Sequence, residues 1–297
     1  MTDFQDDAQL DPSQVEDQRG RRVAGRPMAI GGGALGVVIV IITLLLGGNP
    51  LGGDANGGLG GLGPLNNSQV GEGATKTSDV VTACQTGADA ETREDCRAVG
   101  YVNSIQTFWE KTFAAYTPAV TVFYDSDIDT GCGRASPAVG PFYCPQDQKV
   151  YIDLGFLAEL RDRFGATGGP FAQGYILAHE YGHHVQQLLG TLDQVGGDTT
   201  GPQSKAVRSE LQADCYAGAW AANAVKTGFI AKVSDADIAT ALDAASAVGD
   251  DRIQEATQGQ VNQESWTHGS SAQRVKWFKQ GFTSQDPNTC DTFSGSI

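Results

Sequence analysis

Apolar residues recur at helical spacing over much of the second half of the chain. From Cys96 to Tyr116 the positions Val99, Val102, Ile105, Phe108, Trp109 and Phe113 mark one helix face, with Pro118 as the stop. Ala119–Tyr124 (AVTVFY) is rich in β-formers, and Lys149–Leu154 (KVYIDL) alternates, so both predict strands. Further helices are predicted over Phe156–Phe164, Phe171–Leu189 with Gly190 as its end, Ser204–Lys226 and Ser271–Gly281. Asp235–Gln258 reads as one more helix, with Gly249 as its weak point. Helices dominate and the strands cluster before the middle, which defines an α+β class, mostly helical with a small sheet.

The first part of the chain follows a different pattern. Residues 1–27 are polar, acidic at first and then basic at Arg19, Arg21, Arg22 and Arg26. Met28–Leu46 runs 19 residues without a charge. As a helix it would span roughly 28 Å, about one hydrocarbon core, and is read as one transmembrane helix. The basic cluster before it puts residues 1–27 in the cytoplasm as an N-terminal tail, with the bulk of the chain outside: a single-pass protein of the cell membrane. Residues 47–78 read as a Gly-rich linker, since 11 of the 39 glycines fall between Gly47 and Gly73. Residues 79–297 are the expected folded domain.

Charge narrows the partners. The formal net charge is −15, which argues against nucleic acid, because phosphate binding needs a cationic surface. Six cysteines permit disulfides in an oxidising setting. Six allow 15 connectivities. Cys132 and Cys144 flank a Gly/Pro-rich loop that a bridge would close, and Cys84 and Cys96 bracket a short polar segment. Cys215 and Cys290 remain, either as a third bridge or with Cys215 as a buried free thiol.

Three of the four histidines lie in one hexapeptide, His179-Glu180-Tyr181-Gly182-His183-His184. Residues four apart share a helix face, so His179 and His183 can present two imidazoles to one Zn2+. Glu180, rotated about 100° from His179, is placed to act as general base on water. His184 points off that face and reads as structural. A catalytic zinc needs a third protein ligand and an open position. The extended H-x-x-G-x-x-H pattern is excluded, because Gln186 and Leu189 stand where glycine and histidine would be. Two carboxylates remain, Glu210 and Asp193. Asp214, four residues after Glu210, is placed to hold a ligating histidine by its other ring nitrogen.

Several long stretches together carry a resemblance. CGRASPAVGPFYCPQDQKVYIDL, AHEYGHHVQQLLG, SELQADCYAGAW, THGSSAQRVKWF and the terminal CDTF are similar to the neutral zinc metallopeptidase family over most of Asp79–Phe293. Glu210-Leu211-Gln212-Ala213-Asp214 further resembles the E-x-x-A-D helix of CAAX-protease-like peptidases. Thr267-His268-Gly269 through Arg274 resembles their T-H-P-x-x-x-x-R, with Gly269 in place of proline. Asp193, in Gly190-Thr191-Leu192-Asp193, resembles the G-T-x-D element of aspartate-type zinc peptidases instead. The first resemblances imply a glutamate-type zincin domain: His179, His183 and Glu210 as zinc ligands, Glu180 as base, and His268 near the zinc as donor to the developing oxyanion. They also imply a peptide or protein substrate, with Lys149–Leu154 as a free edge strand that pairs with it. The rival readings are a non-catalytic surface binding module on the same fold, and a zinc hydrolase of non-peptide amides such as cell-wall linkages.

Overall fold

The computed structural model describes residues 3–21 and 79–297. The chain begins with β1 (Asp3–Phe4) and β2 (Val15–Asp17), then continues with α1 (Asp79–Ala83), α2 (Gly87–Thr92) and α3 (Glu94–Thr112). A strand-rich section follows: β3 (Val120–Phe123), β4 (Ile128–Thr130), β5 (Gly133–Ala135), β6 (Phe142–Cys144) and β7 (Lys149–Ile152). The rest is helical apart from one short strand: α4 (Phe156–Phe164), α5 (Pro170–Leu189), α6 (Lys205–Asn223), β8 (Ile230–Lys232), α7 (Asp235–Ala247), α8 (Asp250–Gln258) and α9 (Ser271–Ser284). The α+β class follows directly.

Helix α5 is the centre of the fold. Every residue from Phe171 to Gln186 is buried, as expected of a helix with apolar residues on all sides. Pro170 starts it and Gly190, left-handed at φ 72°, ends it. Helix α6, capped by the Ser204 hydroxyl, is buried almost as completely and lies against α5. The single helix expected over Asp235–Gln258 is two. It breaks at Gly249, where an added Cβ would lie 2.4 Å from the Ser271 backbone nitrogen, so the chain must turn there to let α9 begin.

The four-stranded sheet has the order β2-β3-β7-β6. Pairing is parallel between β2 and β3 and between β3 and β7, and antiparallel between β7 and β6. Side-chain alternation splits its two faces. Phe123, Tyr143, Val150 and Ile152 join the helical core, whereas Val122, Tyr124, Phe142 and Tyr151 pack in a second cluster with the β4–β5 hairpin. Lys149–Ile152 is therefore an interior strand with partners on both sides, not the free edge expected for substrate. Disulfides join Cys84 to Cys96, Cys132 to Cys144 and Cys215 to Cys290. The last excludes a free thiol at Cys215.

The expectation of a membrane-anchored protein with a separate cytoplasmic tail needs correction. Among the described residues no helix is long and apolar enough to cross a membrane. The expected span Met28–Leu46 and the linker 47–78 lie outside the described residues. The N-terminal segment is also not remote from the domain. β1 pairs with β8, β2 covers the edge of β3, and Phe4 is buried against Tyr101 with ring centroids 5.1 Å apart. The Asn103 side chain accepts from the Asp11 N–H at 2.8 Å and donates to the Asp11 carbonyl at 3.0 Å. Arg19 reaches Asp95 at 3.1 Å. A tail held across a membrane from the domain could not make these contacts.

Two outcomes are expected. Phe4→Ala removes the apolar anchor, an effect on the order of 3 kcal/mol for a buried phenylalanine. Hydrogen exchange should then show β1 and β2 deprotected while α5 and α6 stay protected; unchanged protection of β1 and β2 would refute the docking. Replacing both Cys215 and Cys290 by serine opens a loop with a sequence separation of 75. That should cost about 4 kcal/mol in denaturant unfolding.

Candidate metal centre

The site is built where α5 and α6 cross. A Cβ on Gly182 would stand 3.0 Å from the Ala213 Cα, so the two backbones approach more closely than side chains would allow. On α5, His179 and His183 lie one turn apart on the face that meets α6, with ring centroids separated by 4.8 Å. On α6, Glu210 and Asp214 lie one turn apart opposite them. His179 Nε2 is 3.1 Å from Glu210 Oε2, and His183 Nε2 is 3.5 Å from Glu210 Oε1. All three side chains are buried, and one ligand atom from each lies within 4.8 Å of the others. Bonds of about 2.1 Å at tetrahedral angles would place donor atoms about 3.4 Å apart, so this nitrogen–nitrogen–oxygen set fits a zinc ion.

The remaining nitrogen of each ring is held. His179 Nδ1 lies 2.9 Å from Asp214 Oδ1. Asp214 is fully buried; it also accepts from the Tyr175 hydroxyl at 2.6 Å, and Arg274 grips it with Nε at 2.8 Å and Nη2 at 3.0 Å. Arg274 reaches it because α9 lies almost on α6: a Cβ on Gly281 would be 1.8 Å from the Cys215 carbonyl oxygen, and one on Gly218 2.0 Å from that of Phe278. His183 Nδ1 lies 2.8 Å from Gln186 Oε1. His184 faces away, with Nε2 on the Thr117 carbonyl at 2.7 Å and Nδ1 on the Tyr143 hydroxyl at 3.1 Å.

Burial pushes carboxyl pKa values up, but charge partners outweigh it for two of the three acids. Arg274 and His179 hold Asp214 below the usual carboxylate range. His183, His268 and His179 hold Glu210 well below it. Burial dominates at Glu180 and raises its pKa, with Glu210 adding to the rise and the two histidines opposing it. Glu180 Oε2 is buried and has no hydrogen-bond partner. Burial opposes charge on His179, yet Asp214 and Glu210 together raise its pKa to about 9.

His268 lies close enough to Glu210 for that carboxylate to raise its pKa, against the effect of burial. Its loop is gathered by Asp250, whose Oδ2 accepts the backbone N–H groups of Thr267, His268 and Gly269 at 2.7, 2.7 and 2.9 Å. Asp193 stands exposed just beyond α5, outside the cluster. Three contributors carried no signature in the sequence reading: Tyr175, Gln186 and Asp250. Tyr175 and Gln186 could have been found by helical spacing, four before His179 and three after His183. Asp250 had no local signal, since its role depends on a loop that returns 17 residues later.

Comparison with known proteins finds relatives over most of the chain. The family described as "Putative neutral zinc metallopeptidase" matches residues 6–293. An uncharacterized protein of Mycobacterium tuberculosis is 50% identical over 223 residues, 73% of this chain and 76% of that protein. An uncharacterized protein of Mycobacterium bovis has the same identity and coverage. The uncharacterized protein YpfJ of Escherichia coli K12 is 46% identical over 194 residues, 64% of this chain and 66% of that protein. No solved structure matches the chain.

Zinc titration of the metal-free protein should show strong loss of affinity in His183→Ala and Glu210→Ala, and wild-type affinity in Asp193→Ala. Loss in Asp193→Ala with retention in Glu210→Ala would reverse the choice of third donor. Below its raised pKa of about 9, His179 must shed a proton to bind metal. Binding should therefore release a proton at neutral pH and tighten as pH rises. Calorimetry in buffers of different ionisation enthalpy measures this, and zero proton release would contradict it.

Proposed function

The chain belongs to the zinc metallopeptidase family that matches it over residues 6–293, and from this premise we propose that it hydrolyses peptide bonds at a zinc held by His179, His183 and Glu210. The observation that carries the reading is the convergence of these three buried donors beside a fourth group, Glu180, whose carboxylate oxygen Oε2 is left without a partner. The zincin reading of the fold rests on the same crossing, with H-E-x-x-H on α5 and the glutamate on α6.

When bound, zinc supplies Lewis acidity toward a scissile carbonyl and toward water. The protein's own groups do the rest. Asp214 and Gln186 hold the Nδ1 sides of the two rings, so both Nε2 atoms face Glu210. Glu180 takes the proton of the attacking water on Oε2 and passes it to the leaving amine. Burial raises its pKa and makes that oxygen a better base than a solvated carboxylate. His268, ordered by Asp250, donates toward the oxygen on which charge develops. Arg274 keeps Asp214 anionic and stays off the substrate. Membership of a metallopeptidase family supports a peptide as the substrate.

A non-catalytic binding module would have no use for a buried base beside the donors. Glu180→Gln separates the two readings. It keeps size but cannot accept the proton. Zinc content and folding should persist, while cleavage of a broad peptide library falls by at least ~10²-fold. Equal cleavage by wild type and variant would place the hydrolysis elsewhere. No cleavage by the zinc-loaded wild type would favour the binding module.

A further inference from the structure

The two histidines of the centre are held by different chemistry: His179 by a carboxylate, His183 by a neutral amide. We propose that Gln186 is a positioning residue that fixes His183 as the tautomer with its proton on Nδ1, leaving the Nε2 lone pair for the metal. The proposal rests on the reading of His183 as a ligand.

Gln186 is fully buried, and its amide has four partners. Nε2 lies 2.7 Å from the Ser209 carbonyl oxygen and 3.0 Å from Gln212 Oε1. Oε1 lies 3.0 Å from the Ser209 hydroxyl and 2.8 Å from His183 Nδ1. A backbone carbonyl only accepts, so the amide NH2 must face Ser209 and cannot be flipped without setting oxygen against oxygen. Oε1 must then face His183. An acceptor there requires Nδ1 to carry a hydrogen, and in a neutral ring the lone pair falls on Nε2, the nitrogen that faces Glu210.

The same constraint extends one residue further. Gln212 Nε2 donates to the Cys290 carbonyl oxygen at 2.9 Å, which fixes the Gln212 oxygen toward Gln186. Donation therefore runs in one direction, from the His183 ring through Gln186 and Gln212 to a carbonyl. That carbonyl is tied to α6 by the Cys215–Cys290 disulfide. A neutral group is also what charge requires at this position. Glu180, Glu210 and Asp214 are balanced by Arg274 and a divalent cation. A glutamate at 186 would add a buried negative charge with no counterpart.

The test reads the ring directly in the metal-free full chain. Nitrogen-15 NMR of histidine-labelled protein at alkaline pH should show His183 protonated on Nδ1. Gln186→Leu, of similar volume but without an acceptor, should shift His183 toward the other tautomer and weaken zinc binding by about 10–100-fold, the range for outer-shell partners of a ligand. A wild-type ring protonated on Nε2 would overturn the proposal even if no variant folds. So would a folded Gln186→Leu with unchanged tautomer and zinc affinity, and both results would leave the metal centre standing. Nδ1 protonation in a wild type that takes up no zinc would uphold the tautomer assignment and defeat the metal reading.

Discussion

The near-contact of α5 and α6 at Gly182 and Ala213 is the constraint from which the rest follows. Helix axes normally pack 8–10 Å apart, set by the side chains between them. A glycine facing an alanine permits the close end of that range. Only then can Glu210 reach both rings on the opposite helix and Asp214 reach that of His179. Gly182, the last of the three residues between the two histidines, is thus a packing residue, and its lack of a side chain sets how closely α6 approaches.

Bringing helices together this tightly leaves charges in a dry interior. Asp214 and Arg274 are each almost fully buried, which is tolerable only because each satisfies the other and the surrounding donors. The network is layered. Donors lie at the centre, Asp214 and Gln186 behind the rings, Arg274, Tyr175 and Gln212 behind those. Each layer comes from a different part of the chain, so the local geometry of the site is also a tertiary lock. α9 supplies Arg274, and the C-terminal segment supplies the Cys290 carbonyl.

The sheet and the N-terminal segment complete the support. Strand β3 would end the sheet on one side with unpaired backbone groups, and β2 covers it. Burial of Phe4, Leu10 and Val15 accounts for why a segment of mostly polar composition docks at all. Its few apolar residues are spaced to meet the domain, while Asp17 pairs with Arg19, Glu16 with Lys149, and the other acidic side chains stay exposed. Composition alone obscured this, since the acidic run reads as solvated tail until its partner surface exists.

The sequence by itself determined most of the longer helices and the paired histidines. These depend on interactions within a few residues: apolar spacing, Pro170 and Gly190 at the ends of α5, and one-turn separation on a single face. Glu210 and Asp214 were legible for the same reason, as a one-turn pair on a second helix. Which of Glu210 and Asp193 stands beside the paired histidines was not, because it depends on how close α5 and α6 approach. The interior place of Lys149–Ile152, the break at Gly249 and the docking of residues 3–21 were likewise decided by tertiary structure. In each case a deciding partner lies well outside the local stretch: β3 for Lys149–Ile152, the start of α9, and β8 with α3. The roles of Asp250 and Arg274 belong to the same class. A polar side chain reads as a solvated surface group until folding removes the water and leaves it only protein partners to satisfy.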